Sequence, residues 1–221
     1  MKAVIFDFNG TLYNDAHLHV QAWKKFLFKY FKIDIDQDEV RRTFIGPSNK
    51  MIFGTIIDPN LTDEQIADYS EKKEAEYRAV AKSSPDNMHL VPGVEEMLNY
   101  LVDNNIPFAL ATSSIRGNVE FYMEDLGMKK WLTWDRVVYE DSNLPHKPDP
   151  AYYLEAARIL GVKPEECIIV EDSMAGIEAA KNAKAEKVVV IDNSVPEETL
   201  KTISGIDLIV HDFLNFRDFI C

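Results

Sequence analysis

Four segments, far apart in the chain, carry the side chains best suited to chemistry. Val4-Ile5-Phe6 is an apolar run that stops at the carboxylate of Asp7, with Gly10 and Thr11 close behind. Pro107-Phe108-Ala109-Leu110-Ala111 stops at hydroxyls, Thr112-Ser113-Ser114. Lys147 lies in His146-Lys147-Pro148-Asp149-Pro150, a stiff loop because each proline removes a donor and restricts the residue before it. Cys167-Ile168-Ile169-Val170 ends in Glu171-Asp172-Ser173. A carboxylate pair with no basic neighbour in sequence suits a hard cation such as Mg²⁺, held together with waters and a substrate phosphate. It also suits a helix N-terminus, which favours negative charge, and the two roles are compatible. Hydroxyls with adjacent amides, plus a lysine, hold phosphate oxygens. As a set these groups describe phosphoryl transfer, provided the chain brings them to one place.

The surrounding pattern supplies that place. Outside residues 15–84, apolar runs alternate with helical periodicity, the signature of a parallel sheet with helices on both faces. Strands are expected at the three runs named above, at Val188–Ile191, at Leu208–Val210 and, weakly, at Val137–Tyr139. Helices are expected from Val94 to Asn104, up to Leu126, up to Leu160 and from Ala175 to Ala183, with further helices after the last two strands. Parallel strands present their carboxyl ends at one edge, so Asp7, Thr112, Lys147 and Glu171-Asp172 can converge there. Residues 15–84 differ: the periodicity predicts only helices, at about 15–32, 36–44, 48–57 and 62–82, the last opening Thr62-Asp63-Glu64-Gln65 like a capping box. The expected organisation is an α/β, doubly wound, Rossmann-like parallel-sheet core formed by residues 1–14 and 85–221. An all-helical domain of residues 15–84 is inserted after the first strand and returns through Ser83-Ser84-Pro85-Asp86-Asn87. Trp23, Phe26 and Phe53 read as the core of that insert.

Composition narrows the classes. At 221 residues with 46% hydrophobic content the chain can bury a sizeable core. A net charge of −13 argues against a nucleic-acid partner, since phosphate backbones call for basic patches. Cys167 and Cys221 have neither metal-ligand spacing nor a disulfide framework, and Cys167 reads as a small core residue. The amino terminus shows no signal-peptide pattern, and no apolar run approaches the ~20 residues of a membrane helix. The expectation is a cytoplasmic monomer with a small-molecule partner, no membrane and no nucleic acid.

Asp7-Phe8-Asn9-Gly10-Thr11-Leu12, Thr112 after its strand, Lys147-Pro148-Asp149-Pro150, and Glu171-Asp172-Ser173 followed by Gly176 resemble, in order, the four motifs of the haloacid dehalogenase-like hydrolase superfamily. The resemblance spans essentially the whole chain and is nearest to the branch of β-phosphoglucomutases and small phosphatases. It implies that the insert is a cap, and that Asp7 is a nucleophile forming an aspartyl-phosphate. It implies that Mg²⁺ is bound by Asp7, the backbone carbonyl of Asn9 and Asp172, with Glu171 behind them or linked through water. Thr112, the amide of Ser113 and Ser114 would hold the transferring group, and Lys147 would neutralise charge between nucleophile and phosphate. The substrate would be a small phosphorylated metabolite. The cap would close over it on hinges near Tyr13-Asn14 and Ser83–Pro85.

Position 9 departs from the pattern. The resemblance calls for an aspartate acting as general acid and base, and Asn9 cannot protonate a leaving alkoxide. Three explanations stand side by side. A cap residue such as His19 or Asp15 supplies the proton; the substrate has a good leaving group, as in an acyl phosphate or pyrophosphate; or Asn9 is an inactivating change, natural or engineered. A sugar-phosphate mutase, a silent Mg²⁺/phosphate-binding protein and a non-phosphate hydrolase are the rival functions. In the cap, Gly46-Pro47-Ser48-Asn49-Lys50 sits where related caps offer an arginine to a distal phosphate. Asn49 stands in the arginine's place with Lys50 adjacent, so Lys50 is a candidate substrate contact, as is His19, and Lys73 could also face the site. For both Lys50 and Lys73 a solvated helix face is the favoured reading, as for most long charged side chains.

Overall fold

The computed structural model describes residues 3–44, 49–140 and 144–220. Its apolar runs form strands β1 (Ala3–Phe6), β2 (Phe108–Ala111), β3 (Val137–Val138), β4 (Cys167–Glu171), β5 (Lys187–Ile191) and β6 (Leu208–Val210). They pair in the order β3-β2-β1-β4-β5-β6, and every pairing is parallel. Ile5 lies opposite Ala109 on one side and Ile169 on the other, so β1 is central. After β3 the chain crosses back to lie beside β1 as β4, which makes the carboxyl ends of β1 and β4 the place where strand order reverses. Open α/β sheets bind ligands at such a switch point.

The chain divides into two compact units, Met1–Asn14 with His89–Cys221, and Asp15–Met88. The second unit consists of α1 (Ala16–Phe31), α2 (Gln37–Phe44), α3 (Asn49–Ile56) and α4 (Asp63–Ala81). Thr62 caps α4 reciprocally with Gln65, as the sequence signals. Val20, Trp23, Phe26, Leu27, Val40, Phe44, Ile52 and Phe53 form its core, with the Trp23 ring edge-on to Phe44 and Phe53 at 5.2 and 5.4 Å. Gly46-Pro47-Ser48 lies outside the described residues.

In the first unit α5 (Val94–Asp103), α6 (Arg116–Glu124), α7 (Ala151–Leu160) and α8 (Met174–Asn182) flank the sheet, and α9 (Glu197–Leu200) and α10 (Arg217–Ile220) are single turns. Alternate strand residues face α7 and α8: Ala3, Ile5, Ala109, Cys167, Ile169, Val188 and Val190 pack with Tyr153, Ala156, Ile177 and Ala180. The intervening residues Val4, Phe6, Phe108, Leu110, Ile168, Val170 and Val189 are buried too, as expected of a sheet covered on both faces. Burial pushes the Cys167 thiol up to about 11, which suits an inert core position.

Candidate active site

The site begins where β1 runs out. The Asp7 amide donates to the Val170 carbonyl at 3.0 Å, so the sheet fixes the backbone that presents the carboxylate. A tight turn follows, in which the Phe8 carbonyl accepts from the amides of Thr11, Leu12 and Tyr13 at 2.9–3.1 Å. Gly10 has φ +76°, and a Cβ there would lie 2.0 Å from Asp172 Oδ2. Glycine is required both by the left-handed backbone and by the close approach of β4's acidic end.

Lys147 reaches this point from its proline-flanked loop. Nζ donates to Asp7 Oδ1 at 2.7 Å, to Glu171 Oε1 at 2.6 Å and to the Ala111 carbonyl at 3.2 Å. Its side chain is 8% exposed and lies over the Tyr153 ring, 4.8 Å from the centroid. Burial alone would lower the lysine's pKa, but Asp7 and Glu171 outweigh it and hold the ammonium well above its usual range. The acidic pair that lacks a base in sequence thus acquires one through the fold.

Glu171 is held on every side. Oε1 also accepts from the Tyr153 hydroxyl at 2.5 Å, and Oε2 accepts from the amides of Asp172 and Ser173 at 2.9 and 3.0 Å and from the Ser173 hydroxyl at 3.1 Å. A Cβ on Gly176 would fall 1.8 Å from Oε1. Burial works against the charge on Glu171, yet Lys147 and these donors keep its pKa below the usual value. Asp172 is opposite in character: burial first, then the charges of Glu171 and Asp7, push its pKa well up. Thr11 Oγ1 donates to Asp172 Oδ1 at 3.2 Å, and the Ser194 hydroxyl donates to Oδ2.

Ligand oxygens of Asp7, Glu171 and Asp172 lie within 4.8 Å of one another, and all three residues are buried. This set fits a hard divalent cation. All its donors are carboxylate oxygens, the ligands such a cation prefers, and its positive charge would offset the burial and the Glu171 and Asp7 charges that raise the Asp172 pKa.

Thr112 closes the other side of β1. It is buried, its amide donates to the Val138 carbonyl at 2.9 Å, and its hydroxyl accepts from the Ser114 amide at 3.2 Å. Ser113 is exposed. The Ser114 hydroxyl meets Asn9 Oδ1 at 2.7 Å and the Tyr122 hydroxyl at 2.9 Å, and Asn9 Nδ2 donates to Tyr122 at 2.8 Å. Asn9, Ser114 and Tyr122 thus form a ring of hydrogen bonds, with Tyr122 stacked on Phe8 at 3.9 Å.

His19 and Lys50 belong to the helical unit. His19 stacks on Tyr77 at 4.0 Å, with Nε2 3.4 Å from Asp15, whose carboxylate also accepts from the Tyr77 hydroxyl. Lys50 forms an exposed ion pair with Asp63 at 3.1 Å, the solvated position its side chain suggests. For Lys73 the solvated reading is wrong: it is 2% exposed, donates to Glu74 Oε1 and to His19 Nδ1, each at 2.8 Å, and lies over the Trp23 ring. The lysine is stabilised inside because a carboxylate and an imidazole replace its water. Asn49 donates to the same Glu74 oxygen at 3.2 Å.

Sequence reasoning missed Tyr122, Tyr153, Asn193 and Ser194. The two tyrosines are indistinguishable from helix core by periodicity. Asn193 and Ser194 were findable, because they follow the carboxyl end of β5 as Asp7 follows that of β1.

A model of haloacid dehalogenase-like hydrolases matches residues 4–190. A β-phosphoglucomutase of Bacillus subtilis is 32% identical over 83% of this chain and 80% of its own length. A phosphorylated carbohydrates phosphatase of Thermotoga maritima is 28% identical over 85% of this chain and 84% of its own. Among solved structures, a HAD hydrolase of family IA, variant 3, from Entamoeba histolytica superposes with a TM-score of 0.89 at 34% identity, covering 96% of this chain and 94% of that one. With the match running from β1 to β5 and the parallel sheet common to both, the chain belongs to the haloacid dehalogenase-like hydrolase family.

Proposed function

We propose that this protein is a Mg²⁺-dependent phosphatase that hydrolyses a small phosphorylated metabolite through an aspartyl-phosphate on Asp7. The observation that carries this reading is the Lys147 ammonium bridging Asp7 and Glu171, with the Asp172 carboxylate beside them. Relatives named as a phosphorylated carbohydrates phosphatase and a β-phosphoglucomutase support a sugar phosphate or a similar metabolite as substrate.

In the first half-reaction an Asp7 carboxylate oxygen forms a bond to phosphorus as the bond from phosphorus to the leaving oxygen breaks. Water then attacks phosphorus, which releases phosphate and regenerates the carboxylate. Lys147 orients Asp7 and offsets the negative charge that would otherwise oppose its approach to an anionic phosphoryl group. Thr112, with the amide of Ser113, holds the transferring group. Asp7, Asp172 and the Asn9 carbonyl would hold the cation, while Glu171, committed to Lys147, Tyr153 and backbone amides, anchors the lysine instead. When bound, Mg²⁺ supplies positive charge to the phosphoryl oxygens.

Asn9 sets the limit. Its amide is engaged with Ser114 and Tyr122 and does not serve as a general acid, a contribution typically worth ~10²–10⁴-fold. The reaction therefore favours leaving groups that need no proton, such as acyl phosphates or pyrophosphate. The same amide is the feature that favours a second reading, a protein that binds Mg²⁺ and phosphate without turnover.

A phosphoester panel with and without Mg²⁺, including acetyl phosphate, pyrophosphate and hexose phosphates, separates the two. Mg²⁺-dependent phosphate release, fastest on acetyl phosphate, is expected, and Asn9→Asp should raise hexose phosphate turnover at least tenfold. Saturable phosphate binding with no release on any substrate would favour the second reading.

A further inference from the structure

The three residues after β5 each hold a different part of the first unit. The Asp192 amide donates to the Val210 carbonyl at 3.1 Å, and its carboxylate meets His211 Nδ1 at 2.8 Å, which ties the loop to the end of β6. Asn193 Nδ2 donates to the Gly10 carbonyl at 2.8 Å, and Asn193 Oδ1 accepts from Asn14 at 3.2 Å. The Ser194 hydroxyl donates to Asp172 Oδ2. One short loop thus touches the turn after Asp7, the acidic end of β4 and the sheet's last strand.

We propose that Ser194 is a positioning residue for the cation site: its hydroxyl, anchored through Asn193 and Asp192, fixes the rotation of the Asp172 carboxylate. The inference rests on the reading that Asp172 is a cation ligand. Asp172 is the acidic side chain of the cluster without an ammonium at hydrogen-bond distance among the described residues; Lys147 takes Asp7 and Glu171. What orients it is a pair of hydroxyls, Thr11 on Oδ1 and Ser194 on Oδ2. A carboxylate oxygen has two lone-pair sites, so one hydroxyl on each oxygen leaves a second site on each for a metal. Removing Ser194's hydroxyl frees the carboxylate to turn about its own axis, and that freedom must be lost again on binding. Partners of this kind are typically worth 10–100-fold in metal affinity.

The test is calorimetric titration of Mg²⁺ into the full chain, repeated with Mn²⁺ and read by the loss of its free-ion EPR signal. Ser194→Ala should weaken Kd for both ions at least tenfold, and Ser194→Thr, which keeps the hydroxyl, should restore it to within a few-fold. Ser194 is exposed, so neither change opens a cavity in the core. Equal Kd values for wild type and Ser194→Ala would overturn the proposal, as would equal weakening in the alanine and threonine variants. Asp172→Asn is the separate arm: if it binds Mg²⁺ as tightly as wild type, the ligand assignment itself fails and the role of Ser194 falls with it.

Discussion

At the scale of single residues the site is an unbalanced charge set, and the imbalance is concentrated on Asp172. It is 4% exposed, it faces two further carboxylates, and its pKa is pushed up first by burial and then by Glu171 and Asp7. A buried carboxylate disfavoured in its charged form lowers the stability of the folded state wherever it ionises on unfolding. Asp172→Asn should therefore raise Tm in the absence of divalent cation while abolishing stabilisation by Mg²⁺. The sign of the pH dependence follows. Below about pH 4 the residue is protonated both folded and unfolded, so the penalty is absent. As pH rises towards the elevated folded value the penalty grows, and the Tm gap between variant and wild type should widen. Thermal scans between pH 4 and 8 in chelator check this; a gap that narrows with rising pH would contradict it. Asn9 was legible as a departure from the family's aspartate, since that needs only the identity of one residue. Its ring with Ser114 and Tyr122 was not, because no local pattern links residue 9 to residue 122.

At the scale of elements, strand ends supply the chemistry and helix starts accommodate it. Asp7, Thr112 and Glu171-Asp172 were found because each apolar run stops at a polar residue, and the parallel sheet turns that one-dimensional fact into convergence. β5 obeys the same rule, since Ile191 gives way to Asp192-Asn193-Ser194. The burial of Lys73 is not legible in sequence, because it depends on a partner from another helix, His19 of α1, beside its neighbour Glu74. On the helix side, α8 starts close enough to β4 that Gly176 lies directly against the Glu171 carboxylate. Gly176→Ala would put a methyl 1.8 Å from Oε1 and force Glu171 to move, although alanine is the better helix former. Overpacking of this kind typically costs about 1–3 kcal/mol. Because the displaced group anchors Lys147, phosphate release should fall by more than the loss of folded protein accounts for. Chemical denaturation and steady-state kinetics on the same preparation separate the two effects, and full activity in a destabilised variant would show that Glu171 need not be fixed.

At the scale of the molecule, a chain of net charge −13 meets an anionic substrate, so attraction must be local. Lys147 puts one positive charge at the end of β1, and the cation the carboxylates would hold would add to it. Among the described residues no helix is long and apolar enough to cross a membrane. The division into a sheet unit and a helical unit, and the sheet's parallel order, follow from where helical and strand periodicities alternate and where they do not. Substrate choice was not legible, because it depends on which side chains a helical unit presents, and periodicity fixes only the apolar face. On the proposed function, Asp7 takes up the phosphoryl group. Fluorine NMR of the protein with beryllium fluoride, a mimic of the aspartyl-phosphate, tests it most directly. If Asp7 is the nucleophile, protein-bound fluorine resonances appear that need Mg²⁺ and vanish in Asp7→Asn; the same resonances in Asp7→Asn, or none in a wild-type protein that releases phosphate, would rule that role out.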